Sequence, residues 1–189
     1  MTVGRSGVVT ALVGMLSAGG AEELAAREPD NTGYQRDVSV FLNKMGDLAV
    51  AVGDGARARD LYQRGLTIRE ELAAREPDNT GYQRDVSVSL ERLGADAVES
   101  GDPTTGHGLL SRASEVRLKL ARKQPDHLDL AEEAAVALRL LSTAGDSEQV
   151  SLLRDRVNEL LAPFAWESKL TAKGESLLRW AAEEGEADQ

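Results

Sequence analysis

The sequence predicts an all-α fold, a short α-solenoid of antiparallel helix hairpins that has about seven helices, including terminal capping helices. Three observations predict it. A long segment repeats at a fixed offset, apolar residues recur every three or four positions, and the alternation typical of strands is absent. Aromatic residues make up only 4% of the 189 residues, which favours thin helical cores over a β-sandwich.

The internal repeat is the strongest of these observations. Residues 22–40 recur unchanged as residues 70–88, an offset of 48 positions. Extended to Asp54 and Asp102, the two copies share 25 of 33 residues. Pro29, Pro77 and Pro125 carry the offset into a third copy, whose Gly-Asp pair at 145–146 follows the previous pair after 44 residues. The deficit of four is about one helical turn, so the third copy has a shortened helix.

A capping box predicts the start of the first helix in each hairpin. Thr32 with Gln35, and Thr80 with Gln83, have the spacing at which a threonine hydroxyl caps the helix and a glutamine reaches back. The apolar residues that follow recur at steps of three and four, which places them on one buried stripe. In the first copy these are Val38, Leu42, Met45, Leu48, Ala49 and Val52.

A Gly-Asp pair predicts the turn inside each hairpin. Gly53 suits the left-handed position just past a helix end, and Asp54 suits the N-cap of the next helix. The same pair stands at 101–102, before Pro103, and at 145–146. Such short connections predict antiparallel helices. The second helix of the first hairpin carries its own apolar stripe up to Pro77: Ala58, Leu61, Tyr62, Leu66, Ile68, Leu72 and Ala73.

The two ends of the chain are predicted to cap the solenoid. Trp166, Leu170, Leu177 and Trp180 keep to one helical stripe and predict a final helix despite Gly174, with an aromatic partner-binding face as the alternative. Residues 1–20 have a thin likeness to a secretory signal, but the repeat period favours a degenerate packing helix there. No stretch approaches the roughly 20 apolar residues of a membrane span.

These positions resemble the tetratricopeptide repeat (TPR) family, in an elongated form found in large bacterial proteins. With Gly46 as the glycine of the family's first helix, Leu42 and Met45 occupy its large apolar positions, and Ala58 and Tyr62 the small and aromatic positions of its second helix. The corresponding residues of the second copy are Gly94, Leu90, Leu93, Gly106 and Leu110, followed by Ala113 at the position of Gly65. The chain departs from the pattern at Gly65, where alanine is usual, and in its late prolines. The resemblance covers residues 22–163 and implies a right-handed solenoid that binds other proteins.

The predicted organisation is therefore a single domain over residues 1–189. Its parts are N-terminal capping helices (1–30), repeat 1 (31–77), repeat 2 (78–125), a degenerate repeat 3 (126–163), a C-terminal capping helix (164–184) and an acidic tail (185–189).

The residues that carry chemistry are sparse. The chain has no cysteine, which excludes disulfides and thiol chemistry. Its two histidines, His107 and His127, lack a second histidine three or four positions away, so no metal site is predicted. No nucleophile is predicted beside a base, and no glycine-rich phosphate loop appears. Adjacent acids such as Glu132 and Glu133 are interpreted as solvated surface. The sequence predicts neither an enzyme nor a cofactor.

The net charge of the chain restricts the classes of molecule that it is expected to bind. The formal net charge is −10, from 22 Lys and Arg against 32 Asp and Glu, which argues against nucleic acid and anionic membrane surfaces. In TPR proteins the first helices line a groove, and the resemblance places six residues of this chain there: Asn43, Lys44, Asp47, Glu91, Arg92 and Glu99. Asn43, Lys44 and Arg92 resemble part of a clamp for a peptide carboxylate, but the three acids would repel such a group.

The expected function is a non-catalytic, cytoplasmic protein-interaction module whose groove binds a basic or mixed-charge peptide or protein. An alternative for the groove residues is a wet surface on which Lys44 and Arg92 only balance neighbouring acids. The alternative function is self-assembly, in which the ends of the solenoid pair in a homodimer.

Overall fold

The computed structural model describes residues 27–28 and 30–183, and this part of the chain is entirely helical. It holds seven α-helices and one short 3₁₀ helix, with no strand, which confirms the predicted all-α class. Predictions for residues 1–26 and 184–189 lie outside the described residues. The helices are α1 (Thr32–Ala51), α2 (Gly55–Arg75), α3 (Thr80–Glu99), α4 (Pro103–Lys123), α5 (Leu128–Leu141), α6 (Ser147–Trp166) and α7 (Ala172–Ala182), with the 3₁₀ helix at Ser142–Ala144.

The chain forms two compact units where the sequence analysis expected one domain. The division falls in the first turn of α3, between Tyr82 and Gln83. The first unit contains the α1–α2 hairpin and the first three residues of α3, and the second contains the rest of α3 and α4 to α7.

The helix boundaries follow the sequence repeat. Adding 48 to the bounds of α1, 32 and 51, gives 80 and 99, the bounds of α3; the same shift turns α2 into α4. Helix α5 has 14 residues against the 20 of α1 and α3, which accounts for the early Gly-Asp pair of the third copy. The sequence repeat is therefore also a repeat of helices.

The first two Gly-Asp turns have the predicted geometry. Gly53 has a φ of +79° and Gly101 a φ of +83°, both in the left-handed region. The Gly53 N–H donates to the Val50 carbonyl at 2.9 Å and the Asp54 N–H to the Ala49 carbonyl at 2.8 Å, which together make a Schellman motif. The side chains of Asp54 and Asp102 then cap α2 and α4.

The third turn reaches the same result by another geometry. Gly145 has a φ of −99° and follows the 3₁₀ helix, so it does not take the left-handed conformation. Asp146 still caps the next helix, and with Gln149 it forms a full capping box. The predicted turn position is therefore confirmed, while its conformation differs.

A matched pair of glycine substitutions tests these turns. Gly101→Ala is expected to lower the free energy of unfolding by about 1 kcal/mol, because a Cβ is strained at positive φ. Gly108→Ala, inside α4 with open space around the new Cβ, is expected to raise it by about 0.5–1 kcal/mol. Urea denaturation of both variants checks the prediction, and changes of the same sign would contradict it.

The first helices are capped one residue earlier than predicted. The Asn31 side chain accepts from the Tyr34 N–H at 3.0 Å, and Thr32 is the first residue of α1. In the second copy, Asn79 accepts from the Gly81 and Tyr82 N–H groups. Asparagine and threonine are both good N-caps, and the sequence places them side by side. The predicted capping boxes at Thr32 and Thr80 are therefore wrong.

The buried stripe of α1 also differs from the prediction at its C-terminal end. Val38 and Leu42 are fully buried and Ala49 nearly so, as expected. Leu48 and Val52 are instead 60% and 80% exposed. The polar residues Ser39 and Asn43 are buried together with Gly46, so the buried face is rotated from the apolar stripe.

The C-terminal helix is shorter than predicted. Helix α6 continues through Pro163 to Trp166, and α7 begins only at Ala172, so the predicted helix over 164–184 is wrong. Pro163 lacks the N–H that would bond the carbonyl of Glu159, four residues earlier. Both residues are exposed and only one turn follows Pro163, so water can bond this carbonyl instead. Leu161 and Phe164, 0% and 6% exposed, keep this last turn packed on the core of the second unit.

Candidate functional site

Three of the predicted groove residues lie on α1 in the first unit, and they differ in exposure. Lys44 is exposed to solvent. Asp47 is exposed too, and its Oδ1 accepts a hydrogen bond from the Tyr62 hydroxyl at 2.8 Å. Asn43 is only 4% exposed. Its side chain belongs to the packing between α1 and α2, and its predicted place in an open groove is corrected.

Two glycines explain this close packing. A Cβ added to Gly46 would lie 2.4 Å from the Tyr62 ring, so only glycine lets α2 approach here. A Cβ added to Gly65 would lie 2.7 Å from Asn43 Oδ1. The departure from the TPR pattern at Gly65 thus makes room for the buried asparagine.

The same interface buries an arginine. Arg69 is 4% exposed, and its Nε donates to the Ser39 hydroxyl oxygen at 3.1 Å. The Ser39 hydroxyl in turn donates to the Arg36 carbonyl at 2.7 Å. A buried guanidinium is costly unless it is hydrogen-bonded, so these contacts position α1 on α2.

The other three predicted residues lie on α3 in the second unit. Glu91 and Arg92 are half-buried, and Glu99 is exposed. Glu91 accepts from Arg117 Nε at 3.3 Å, and Arg117 also pairs with Glu133. Burial raises the pKa of Glu91 above its usual range, although Arg117 and Arg92 oppose the shift. Glu91 is therefore part of an internal ion-pair network, to which Arg84 adds a pair with Glu133.

An exposed apolar row adjoins Lys44 on α1. Lys44, Leu48 and Val52 follow one another at steps of four, so they share one side of the helix. The corresponding residues of α3 at Leu48 and Val52 are Asp96 and Ser100. The row thus belongs to the first copy alone. We name Lys44, Asp47, Leu48 and Val52 the α1 face.

The two tryptophans do not form the aromatic face considered from the sequence. Trp166 ends α6 and is 92% exposed. Trp180 lies on α7, half-buried, with the guanidinium carbons of Arg139 and Arg154 at 5.7 and 5.4 Å from its ring centroid. Cation–π contacts of this kind hold α7 against α5 and α6.

Glu132, interpreted from the sequence as solvated surface, is buried. Its side chain on α5 is 1% exposed. Its Oε1 accepts from the Thr171 hydroxyl at 2.7 Å and from the Thr171 N–H at 3.1 Å, and Lys173 Nζ lies 3.2 Å from Oε2. Burial alone would raise the pKa of Glu132, but these contacts outweigh it and lower the pKa. Glu132 therefore ties the start of α7 to α5.

Residues 27–28 and 30–183 contain few features typical of a metal or membrane site. No group of three or more His, Cys, Asp or Glu side chains there could hold a metal ion. His127 precedes α5 without a capping hydrogen bond, and His107 lies in the first turns of α4. None of the helices in that part is long and apolar enough to cross a membrane.

Comparison with known proteins identified no family. No protein-family model and no curated protein matches the chain. Among solved structures, the de novo designed helical repeat protein DHR64 is 20% identical, with 93% of this chain and 91% of that chain covered and a TM-score of 0.35. A filament named DHF79 is 22% identical, with coverage of 88% and 93% and a TM-score of 0.33.

Proposed function

We propose that the protein is a non-catalytic protein-interaction module of TPR type, cytoplasmic, that binds a peptide or protein through the first helices of its hairpins. The observation that supports this is the α1 face, where Leu48 and Val52 expose 60% and 80% of their surface. Two such apolar side chains on one side of a helix, bordered by charges, give a partner an apolar area to cover.

The residues of the α1 face indicate the polarity and charge of a suitable partner. Leu48 and Val52 offer apolar area that binding would remove from water. Lys44 and Asp47 place one charge of each sign beside it, while the whole chain carries −10. A partner with an apolar anchor and a basic or mixed-charge surround therefore fits, with long-range attraction that weakens as salt is added.

The second copy of the repeat provides the substitutions for a test. Leu48→Asp with Val52→Ser gives α1 the residues that α3 carries at these positions. After a partner has been captured from the source cell, we expect this double variant to bind it about tenfold more weakly, because the apolar anchor is lost. Leu152→Ser, at a leucine of the second unit that is 61% exposed, is the matched control. Equal affinity of wild type and double variant in a titration would contradict the proposal.

The second candidate function is self-assembly, which the same face favours because two copies could bury their apolar rows against each other across a twofold axis. Light scattering distinguishes the two. A wild-type dimer that Leu48→Asp with Val52→Ser converts to a monomer would support self-assembly, and a wild-type monomer would exclude it at the concentration measured.

A further inference from the structure

We propose that the seam between α4 and α6 is a second peptide-binding site, which takes a segment with a bulky apolar residue next to an acidic one. The site lies wholly in the second unit and shares no residue with the α1 face. Its centre is a cavity of about 340 Å³, within the range of pockets that hold small ligands or single large side chains.

Leucines form the apolar part of the cavity. Leu118 comes from α4, Leu138 and Leu141 from the last turn of α5, and Leu153 from α6. Leu118, Leu138 and Leu141 are 8% exposed or less, so their positions are fixed by the core beneath them. The cavity thus has a fixed apolar floor with polar and charged side chains around it, and a leucine, isoleucine or phenylalanine side chain of a partner suits that floor.

The charges beside the cavity determine which residue of the partner lies next to its apolar anchor. Arg122 on α4 and Arg156 on α6 both line it and are exposed. Neither makes an ion pair within the described parts of the second unit. Two guanidinium groups without an ion pair in that part of the chain, beside the apolar floor, attract a carboxylate, and their planar donors suit that group. This local preference is the opposite of the one that the net charge of −10 imposes at long range.

A peptide segment fits the seam better than a small carboxylic acid does. Glu115 lines the same cavity seven residues before Arg122, which places the two backbone positions about 10 Å apart along α4. An extended peptide covers about that distance with three residues, so a short segment can meet both charges. A second cavity of about 400 Å³ prolongs the seam where α4 and α6 begin, between His107 and Gln149. The expected order in the partner is a basic group at Glu115, the apolar anchor, then the acid at the arginines.

A selection from random peptides tests the site without a known partner. A phage-displayed library of random dodecapeptides is selected on the wild-type protein and, in parallel, on Arg122→Glu with Arg156→Glu. Wild type is expected to enrich peptides with an acid within three positions of a bulky apolar residue, and the charge-reversed variant peptides with lysine or arginine there. A peptide selected on wild type should bind the reversed variant about tenfold more weakly.

Three further variants make the outcome decisive. Lys119→Glu changes an exposed charge of α4 outside the cavity and should select the same peptides as wild type. Arg122→Gln with Arg156→Gln removes the two positive charges without introducing negative ones. If the charge-reversed variant does not fold, weaker binding of the selected peptide to this neutral variant still tests the site. Leu48→Asp with Val52→Ser should leave the selection unchanged, which separates this site from the proposed function. An absence of enriched peptides, or the same peptides on wild type and the reversed variant, would overturn the proposal.

Discussion

Leu42→Ala is expected to lower the free energy of unfolding of the first unit by about 2–5 kcal/mol. Leu42 on α1 is fully buried, so truncation removes apolar contacts and leaves a cavity. Leu90, its counterpart in the second copy, is 1% exposed, and Leu90→Ala is expected to have an effect of similar size on the second unit. Urea denaturation followed by circular dichroism measures both.

The same helix supplies the control for Leu42→Ala. Leu48→Ala removes the same atoms from a side chain that is 60% exposed, so it should change the free energy of unfolding by no more than about 0.5 kcal/mol. Equal losses at Leu42 and Leu48 would show that the α1 face is buried in solution.

Glu132→Ala is expected to lower the free energy of unfolding of the second unit by about 1.5–3 kcal/mol. The substitution removes the acceptor of the Thr171 hydroxyl and N–H groups and the partner of Lys173. Glu175→Ala is the control, because this glutamate is exposed and its i,i+4 pair with Arg179 spans 3.9 Å. A loss of the same size at Glu175 would contradict the assigned role of Glu132.

The pKa of Glu132 gives this prediction a pH dependence. Its value in the folded state is lowered from 4.5, so the folded state holds the proton less tightly than the unfolded state does. The stability that Glu132 contributes is therefore complete above its unfolded pKa and is lost as pH falls through the lowered folded pKa. Glu132→Gln, which does not titrate, should come closer to wild type in stability as pH falls from about 6 to about 2. A constant difference between them would contradict the ionised, hydrogen-bonded state of Glu132.

The features that sequence predicted correctly depend on neighbouring residues. A glycine at positive φ followed by an aspartate cap is local chemistry, so Gly53 and Gly101 could be placed from their flanking residues alone. The lengths of α1 to α4 followed from the repeat in the same way. The third turn shows the limit, because the 3₁₀ helix before Gly145 depends on how the shortened α5 ends.

The burial of polar residues could not be predicted, because distant residues decide it. Asn43 is buried because Gly65, 22 positions later, leaves space for its side chain. Glu132 is buried because Thr171 satisfies it from 39 positions away, and Gly174 lets the helix approach. Neither the TPR resemblance, which placed Asn43 in a groove, nor the adjacency of Glu132 and Glu133, which suggested a solvated surface, contains information about such distant partners. The exposure of Leu48 was missed for the same reason.

The different residues that the two hairpins bury have a consequence for folding. Since residues 32–40 and 80–88 are identical, a newly made chain has two equivalent ways to begin pairing its helices. Docking α3 on α2 would put Ala95 where Asp47 accepts from the Tyr62 hydroxyl. Docking α1 on α4 would press the Asn43 amide on the methyl group of Ala113, the counterpart of Gly65. The first exchanged hairpin loses a hydrogen bond and the second crowds a buried amide. Both are therefore expected to be less stable than the native hairpins, which disfavours misassembly.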